Sequence, residues 1–259
     1  MAVVAVENFW SDITAQIGGD RVKVTSILND PSADPPSYET DPTDAAAISN
    51  AKFVVENGLG YDDFADKLLG ATKDAGRDVV TVSDVADVDG DNPNPHLWYS
   101  PTYVRAAARA IADQLGTDPA DAATFQTNLT TFLTAYQPYV DTLATIKSKY
   151  DGTKVTYTER VPGYLLDAAG LTLGTPASFA QPVEDGNAPS SADTDAMDRA
   201  MTGKTVKALF YNSQATRPVT EKVQALARSS GVPVVGSRRP SRRTTRTSKP
   251  GRPGRPGPS

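Results

Sequence analysis

The chain has 259 residues, a hydrophobic content of 39%, a charged content of 22% and a formal net charge of -5. That is enough chain for two ordinary cores, and no apolar run approaches the ~20 residues that a helix needs to span a bilayer. The absence of cysteine excludes disulfides, thiolate metal sites, Cys nucleophiles and a lipid-attachment Cys.

Ala2–Val6 is apolar and β-compatible. No basic n-region, apolar h-region or cleavage site precedes it, so an export signal is expected to be missing or to lie outside this sequence. Phe9 to Ile17 is amphipathic and stops at Gly18-Gly19, a helix with a glycine end. Val22–Ile27 alternates as a strand. A proline-rich loop from Asp30 to Asp41 leads to Pro42-Thr43-Asp44, which opens a helix to about Asn50. Lys52–Gly58 reads as a strand, Tyr61–Leu69 as a helix and Asp78–Val82 as a further strand. Strands alternating with helices through short loops predict an α/β lobe over 1–116, a parallel-type sheet flanked by helices. Ligands of such sheets bind at the carboxyl ends of the strands.

The one histidine of the chain, His96, stands there, in Asn94-Pro95-His96-Leu97-Trp98-Tyr99. Imidazole is a common ligand for borderline transition metals, and a proline-bracketed loop can aim it at a cleft; a packed or solvated ring is the plainer reading. The acidic run Asp87–Asn92 before it lacks the glycine and bidentate Glu spacing of a calcium loop and reads as solvated. Pro101–Leu115 is one helix. Asp118-Pro119 caps a second that runs to about Tyr150, with Phe125, Leu129, Phe132, Leu133, Tyr136, Tyr139, Val140, Leu143 and Ile146 in a core-facing stripe. At 1.5 Å per residue it spans roughly 45 Å, and residues 117–150 are expected to be the spine joining two lobes. The α/β pattern then restarts over 151–236: strand Lys154–Glu159, helix Pro162–Ala169, helix Ser190–Met201, strand Val206–Tyr211, helix Val219–Arg228 and strand Val232–Val235. Glu159 ends the first of these strands, where the second lobe faces the first.

Residues 237–259 are a different polymer. They carry eight Lys/Arg and no acid, so a body of -13 precedes a tail of +8. Built from Arg, Pro, Ser, Thr and Gly without apolar residues, the tail is expected to be disordered. Its composition is that of out-of-frame reading of a GC-rich gene, which points to a frameshift near codon 236. The functional alternative is a cationic arm for anionic polymers or lipid; with no aromatics among its charges, nucleic acid is not the expected partner. Neither Gly-x-Ser-x-Gly nor a phosphate-binding loop occurs, and no enzymatic activity is expected.

Taken together, Glu7-Asn8-Phe9-Trp10, Asp34-Pro35-Pro36-Ser37-Tyr38-Glu39, Asn57-Gly58-Leu59-Gly60-Tyr61-Asp62, Asn94-Pro95-His96, Thr158-Glu159 and Tyr211-Asn212-Ser213-Gln214 resemble the zinc/manganese-type (cluster A-I) solute-binding proteins of bacterial ABC importers. The resemblance covers roughly residues 2–236. It implies two α/β lobes joined by one long helix, a divalent ion (Zn or Mn) as transported ligand between them, no organic cofactor, an extracytoplasmic monomer and an ABC membrane permease as partner. The family's four ligand positions fall on Pro36, His96, Glu159 and Arg239. His96 and Glu159 suit a metal. Proline offers no donor and guanidinium repels a cation, so impaired binding is expected, with Glu39 a candidate substitute for the missing first ligand. A protein acting through its surface or tail without metal is the alternative.

Overall fold

The computed structural model describes residues 1–30, 35, 38–72 and 76–238. Pro36, Arg239 and the basic tail beyond Arg238 lie outside the described residues, and with them the expectation of tail disorder.

The first lobe is a four-stranded parallel sheet, ordered β2-β1-β3-β4. β1 (Ala2–Glu7) is buried along five of its six positions and sits centrally, its Val4 paired with Thr25 of β2 (Lys23–Leu28) on one side and Val54 of β3 (Phe53–Glu56) on the other. Unbroken apolar strands such as β1 and β3 fit a sheet covered on both faces. α1 (Asn8–Gly18) follows β1 and turns out at Gly19, whose φ is +53°. α2 (Pro42–Asn50) begins at a capping box, the Asp41 carboxylate accepting from the Thr43 and Asp44 amides. α3 (Asp63–Ala71), β4 (Asp78–Thr81) and the single turn α4 (Val82–Val85) complete the set.

Two proline-opened helices follow. α5 (Pro101–Leu115) is capped by Ser100, and α6 (Pro119–Tyr150) by Asp118. At 1.5 Å per residue α6 is about 48 Å long. Its first half is more than a connector: Phe125, Leu129 and Phe132 are buried in the first lobe's core beside Trp10, Ile17 and Ile111, each contributing roughly 1.5–3 kcal/mol. Further along only Leu143 is fully buried, and Tyr150 is exposed.

The second lobe repeats the first lobe's topology in a parallel sheet ordered β6-β5-β7-β8. Its elements are β5 (Lys154–Tyr157), α7 (Gly163–Ala168), β6 (Thr172–Leu173), α8 (Ala180–Glu184), α9 (Ser191–Thr202), β7 (Leu209–Asn212), α10 (Pro218–Ser229) and β8 (Val234–Ser237). Phe179, Met197, Met201, Leu209 and Val223 fill its smaller core. β6 and α8 were not expected from the sequence; two and five residues are too few to show a period. β5 stops at Tyr157, which leaves Glu159 in the loop beyond the strand. β8 runs on to Ser237, whose hydroxyl donates to the Tyr211 carbonyl at 3.0 Å, so the strand takes in the first residue assigned to the tail.

Both sheets point their carboxyl ends at the space between the lobes. In each, the central strand's two neighbours are reached in opposite directions, which opens a crevice at that end.

Candidate metal centre

Three loops of the first lobe build one wall of this space. After β3, Gly58, Leu59 and Gly60 run with φ of +81°, +60° and +73°, a turn that β-carbon sterics resist at Leu59 by roughly 1–2 kcal/mol. Gly58 has no alternative, since a β-carbon there would collide with the Ser83 hydroxyl. The turn is held from inside. Asp62 accepts the Asn57 and Gly58 amides at 2.6 and 2.8 Å, and the Asn57 side chain takes the Trp10 indole N–H at 3.1 Å. Asn57 Nδ2 then donates to the Pro95 carbonyl at 2.9 Å, which fixes the residue before His96.

His96 is 8% exposed. Its ring lies edge-on to Trp98 and Tyr61, with centroids 5.2 and 5.8 Å away; Trp98 is itself stacked on Phe9 at 4.1 Å. Nδ1 lies 2.6 Å from Asn94 Oδ1. An amide oxygen only accepts, so this contact puts the proton on Nδ1 and leaves Nε2 with the lone pair, the second-sphere arrangement of a metal-binding histidine. The other end of the same amide, Nδ2, donates to the Arg160 carbonyl in the second lobe at 2.9 Å. Tyr164 Oη donates to the Asn94 carbonyl at 2.9 Å, and Tyr99 Oη to the Arg238 carbonyl at 2.6 Å.

Glu159 comes from the opposite wall. It is 4% exposed and its Oε2 accepts from Asn212 Nδ2, at the end of β7, at 2.7 Å. His96 and Glu159 line the same cavity of about 350 Å³, together with Tyr61, Arg160, Glu184 and Arg217. The two residues singled out from the sequence are therefore brought together. Glu39 is exposed and does not line the cavity, so the candidate substitute is not in place. Pro36 and Arg239 lie outside the described residues.

Two charged residues of the site carried no sequence signal. Glu184, at the end of the short α8, receives the Arg160 backbone N–H and Nε at 2.6 Å each and lies 3.9 Å from His96 Nδ1. Burial raises its pKa while Arg160 works the other way. Arg217, at the start of α10, is half-buried against the same cavity. Among the described residues, no group of three or more His, Cys, Asp or Glu is placed to hold a metal ion.

Beneath the first-lobe wall lies a third feature that the sequence did not show. Glu7, Glu56 and Asp62 are all under 9% exposed. Burial raises all three pKa values, with Asp62 adding to the rise at Glu7 and the Thr81 hydroxyl opposing it at Glu56, which is pushed up to about 7. None of the three lines the cavity: Asp62 is spent on the turn amides and Glu56 accepts from the Thr81 hydroxyl.

Comparisons with known proteins agree with this architecture. The family described as zinc-uptake complex component A, periplasmic, matches residues 3–246. The iron ABC transporter substrate-binding lipoprotein MtsA of Streptococcus pyogenes serotype M1 is 30% identical over 164 residues, 58% of this chain and 52% of its own. The manganese-binding lipoprotein MntA of Halalkalibacterium halodurans is 30% identical over 138 residues, 51% and 45% of the two chains. The chain thus spans about half the length of the curated relatives it matches. The periplasmic metal binding protein of Candidatus Liberibacter asiaticus superimposes with a TM-score of 0.73 over 90% of this chain and 86% of its own, at 24% identity, a likeness of fold.

Proposed function

As a chain that belongs to the zinc-uptake complex component A family, the protein is, we propose, a cation receptor. It holds a divalent transition ion between its lobes and hands it, outside the cytoplasm, to the membrane permease of an ABC importer. The role is binding and delivery, without catalysis. The observation that carries this reading is the meeting of His96 and Glu159, from opposite lobes, at one cavity. His96 Nε2 and the Glu159 carboxylate are the ligands. One borderline nitrogen and one hard oxygen accept Zn²⁺ or Mn²⁺, and the carboxylate leans towards Mn²⁺. Metal sites for these ions draw on three or four protein ligands; two leave the bare ion weakly held, with other oxygens completing its sphere. That one relative is named for an iron ABC transporter and another for binding manganese supports a cation as cargo.

The test is calorimetric titration with Mn²⁺ and Zn²⁺, in buffers with and without small carboxylates. Saturable one-to-one binding that His96→Ala removes is the expected result. An absence of metal binding in every buffer would overturn the reading.

A further inference from the structure

Glu7, at the end of β1, is a carboxyl group closed off from water and from cations. It is 1% exposed, and both of its carboxyl oxygens are buried without a donor from any other residue. Among the described residues, no Lys, Arg or His lies within ion-pair distance of Glu7, Asp62 or Glu56. The groups that face Glu7 are acidic. The parallel register, Ala5 beside Val55, carries it level with Asn57, whose amide Asp62 holds. Asp62 and, from the end of β3, Glu56 are its titratable neighbours, with Asp66 of α3 and Asp84 of α4 behind them. β2 sets Leu28 beside it, and the buried residues of α1 are uncharged. The buried Asp44 of α2 is spent on Tyr38 and the Asp41 amide.

A bare carboxylate in such a place takes up a proton. Which group of the pair carries it follows from the donors. Asp62 receives two backbone amides at 2.6 and 2.8 Å, which hold it as an anion. Glu7 has only its own amide to oppose burial. The two side chains are hydrogen-bonded to each other, and two carboxylates cannot form that bond unless one bears the hydrogen. The Glu7 O–H therefore donates to the Asp62 carboxylate, a charge-assisted bond.

We propose that Glu7 is a positioning residue that acts through its proton: as a neutral acid it locks Asp62 onto the turn after β3, and Asn57 passes that order to Pro95 and so to His96. The links beyond Asp62 are the Asn57 amide at 2.6 Å and the bond from Asn57 Nδ2 to the Pro95 carbonyl at 2.9 Å. When the proton leaves for water, two carboxylates face each other in the core, and the turn must open to hydrate them. The raised folded-state pKa sets the sign: the contribution is whole below the ordinary 4.5 and is lost as pH rises through the folded value. The lock belongs to the turn, so it holds whatever the cleft carries.

The chain's two tryptophans report on it. Trp10 donates to Asn57 at 3.1 Å, and Trp98 lies against His96. Tryptophan emission and the infrared band of neutral carboxyl groups are followed on the full chain from pH 6 upward. Glu56→Gln is the background, so that the titration of Glu56 near pH 7 does not intrude. The expected result is loss of one carboxyl's worth of the band, with an emission change at the same pH. Adding Glu7→Gln keeps a neutral donor to Asp62. It should remove that part of the band at pH 6 and leave the emission flat through the range in which the background changes. Glu7→Leu fills the space without a donor and should show the altered emission already at pH 6, so rescue by Gln separates a hydrogen bond from packing. A band that Glu7→Gln leaves intact would overturn the proposal, as would an emission change that persists in it. Should Glu7→Gln not fold, the background protein decides alone: an emission change without simultaneous loss of the band sinks the idea.

Discussion

Asn94 and Arg160 join the two lobes through a single amide: Asn94 Nδ2 donates to the Arg160 carbonyl at 2.9 Å while Asn94 Oδ1 holds His96 Nδ1 at 2.6 Å. The group that orients His96 is thus fastened to the residue next to Glu159. The orientation of His96 and a contact between the lobes depend on the same amide.

Asn94→Ala should therefore cost both. The histidine loses its acceptor and the lobes lose a bond, and metal affinity is expected to fall about ten- to hundredfold, the usual cost of a second-sphere partner. Asn94→Asp keeps the acceptor and loses the donor, so its affinity should fall between wild type and Asn94→Ala. Titration of the three proteins with Mn²⁺ checks the order; equal affinities would show that the amide does not orient His96.

Gly163→Ala reaches the same amide from the other side. A β-carbon at Gly163 would lie 2.8 Å from Asn94 Nδ2, closer than real β-carbons approach, so the amide must shift. The expected outcome is weaker metal binding with a loss of stability of about 1 kcal/mol, read by titration and by urea unfolding.

Glu184→Gln isolates the ion pair behind the site. Side chains on both partners are less than a fifth exposed, and removing one charge leaves the Arg160 guanidinium buried without its counter-ion. Stability should drop by about 3 kcal/mol, as for other broken buried pairs, with a lower urea midpoint and an unchanged slope.

Glu56 gives the stability a pH dependence of defined sign. Its folded-state pKa is raised by burial to about 7, above the ordinary 4.5. The folded protein then keeps a proton that the unfolded chain has lost, so this contribution is whole below pH 4.5 and is lost as pH rises through 7. Over that window the loss is on the order of 3 kcal/mol at about 1.4 kcal/mol per pH unit. Urea midpoints should fall between pH 5 and 7.5, and Glu56→Gln should flatten the fall. A profile equally steep in the variant would place the titration elsewhere.

Much of this fold is legible in the sequence where local signals are strong. α5 and α6 begin where Ser100-Pro101 and Asp118-Pro119 announce them, because an oxygen cap followed by proline is a start signal independent of tertiary context. His96 and Glu159 could be picked out because each follows a strand of a recognisable alternation. Glu184 could not: it ends a five-residue helix with no period, and only the fold carries it to Arg160. Arg217 looks like an ordinary surface cation before a helix, and its place in the cavity wall depends on β7 pairing with β5. Nothing local marks the carboxylates of Glu7 and Asp62 as buried, since their burial comes from β1 being central in the sheet and from the turn after β3, both non-local facts.

Asn94 to Arg160, Tyr164 to Asn94 and Tyr99 to Arg238 form three clasps across the gap between the lobes. The Asn94 amide also orients His96, whereas the Tyr99 and Tyr164 hydroxyls contact only backbone carbonyls. On the receptor reading proposed above, the dwell time of a cargo would depend on the metal–ligand bonds and, separately, on the Tyr99 and Tyr164 clasps. A partner that competes for the Tyr99 and Tyr164 hydroxyls would hasten unloading without displacing a single ligand.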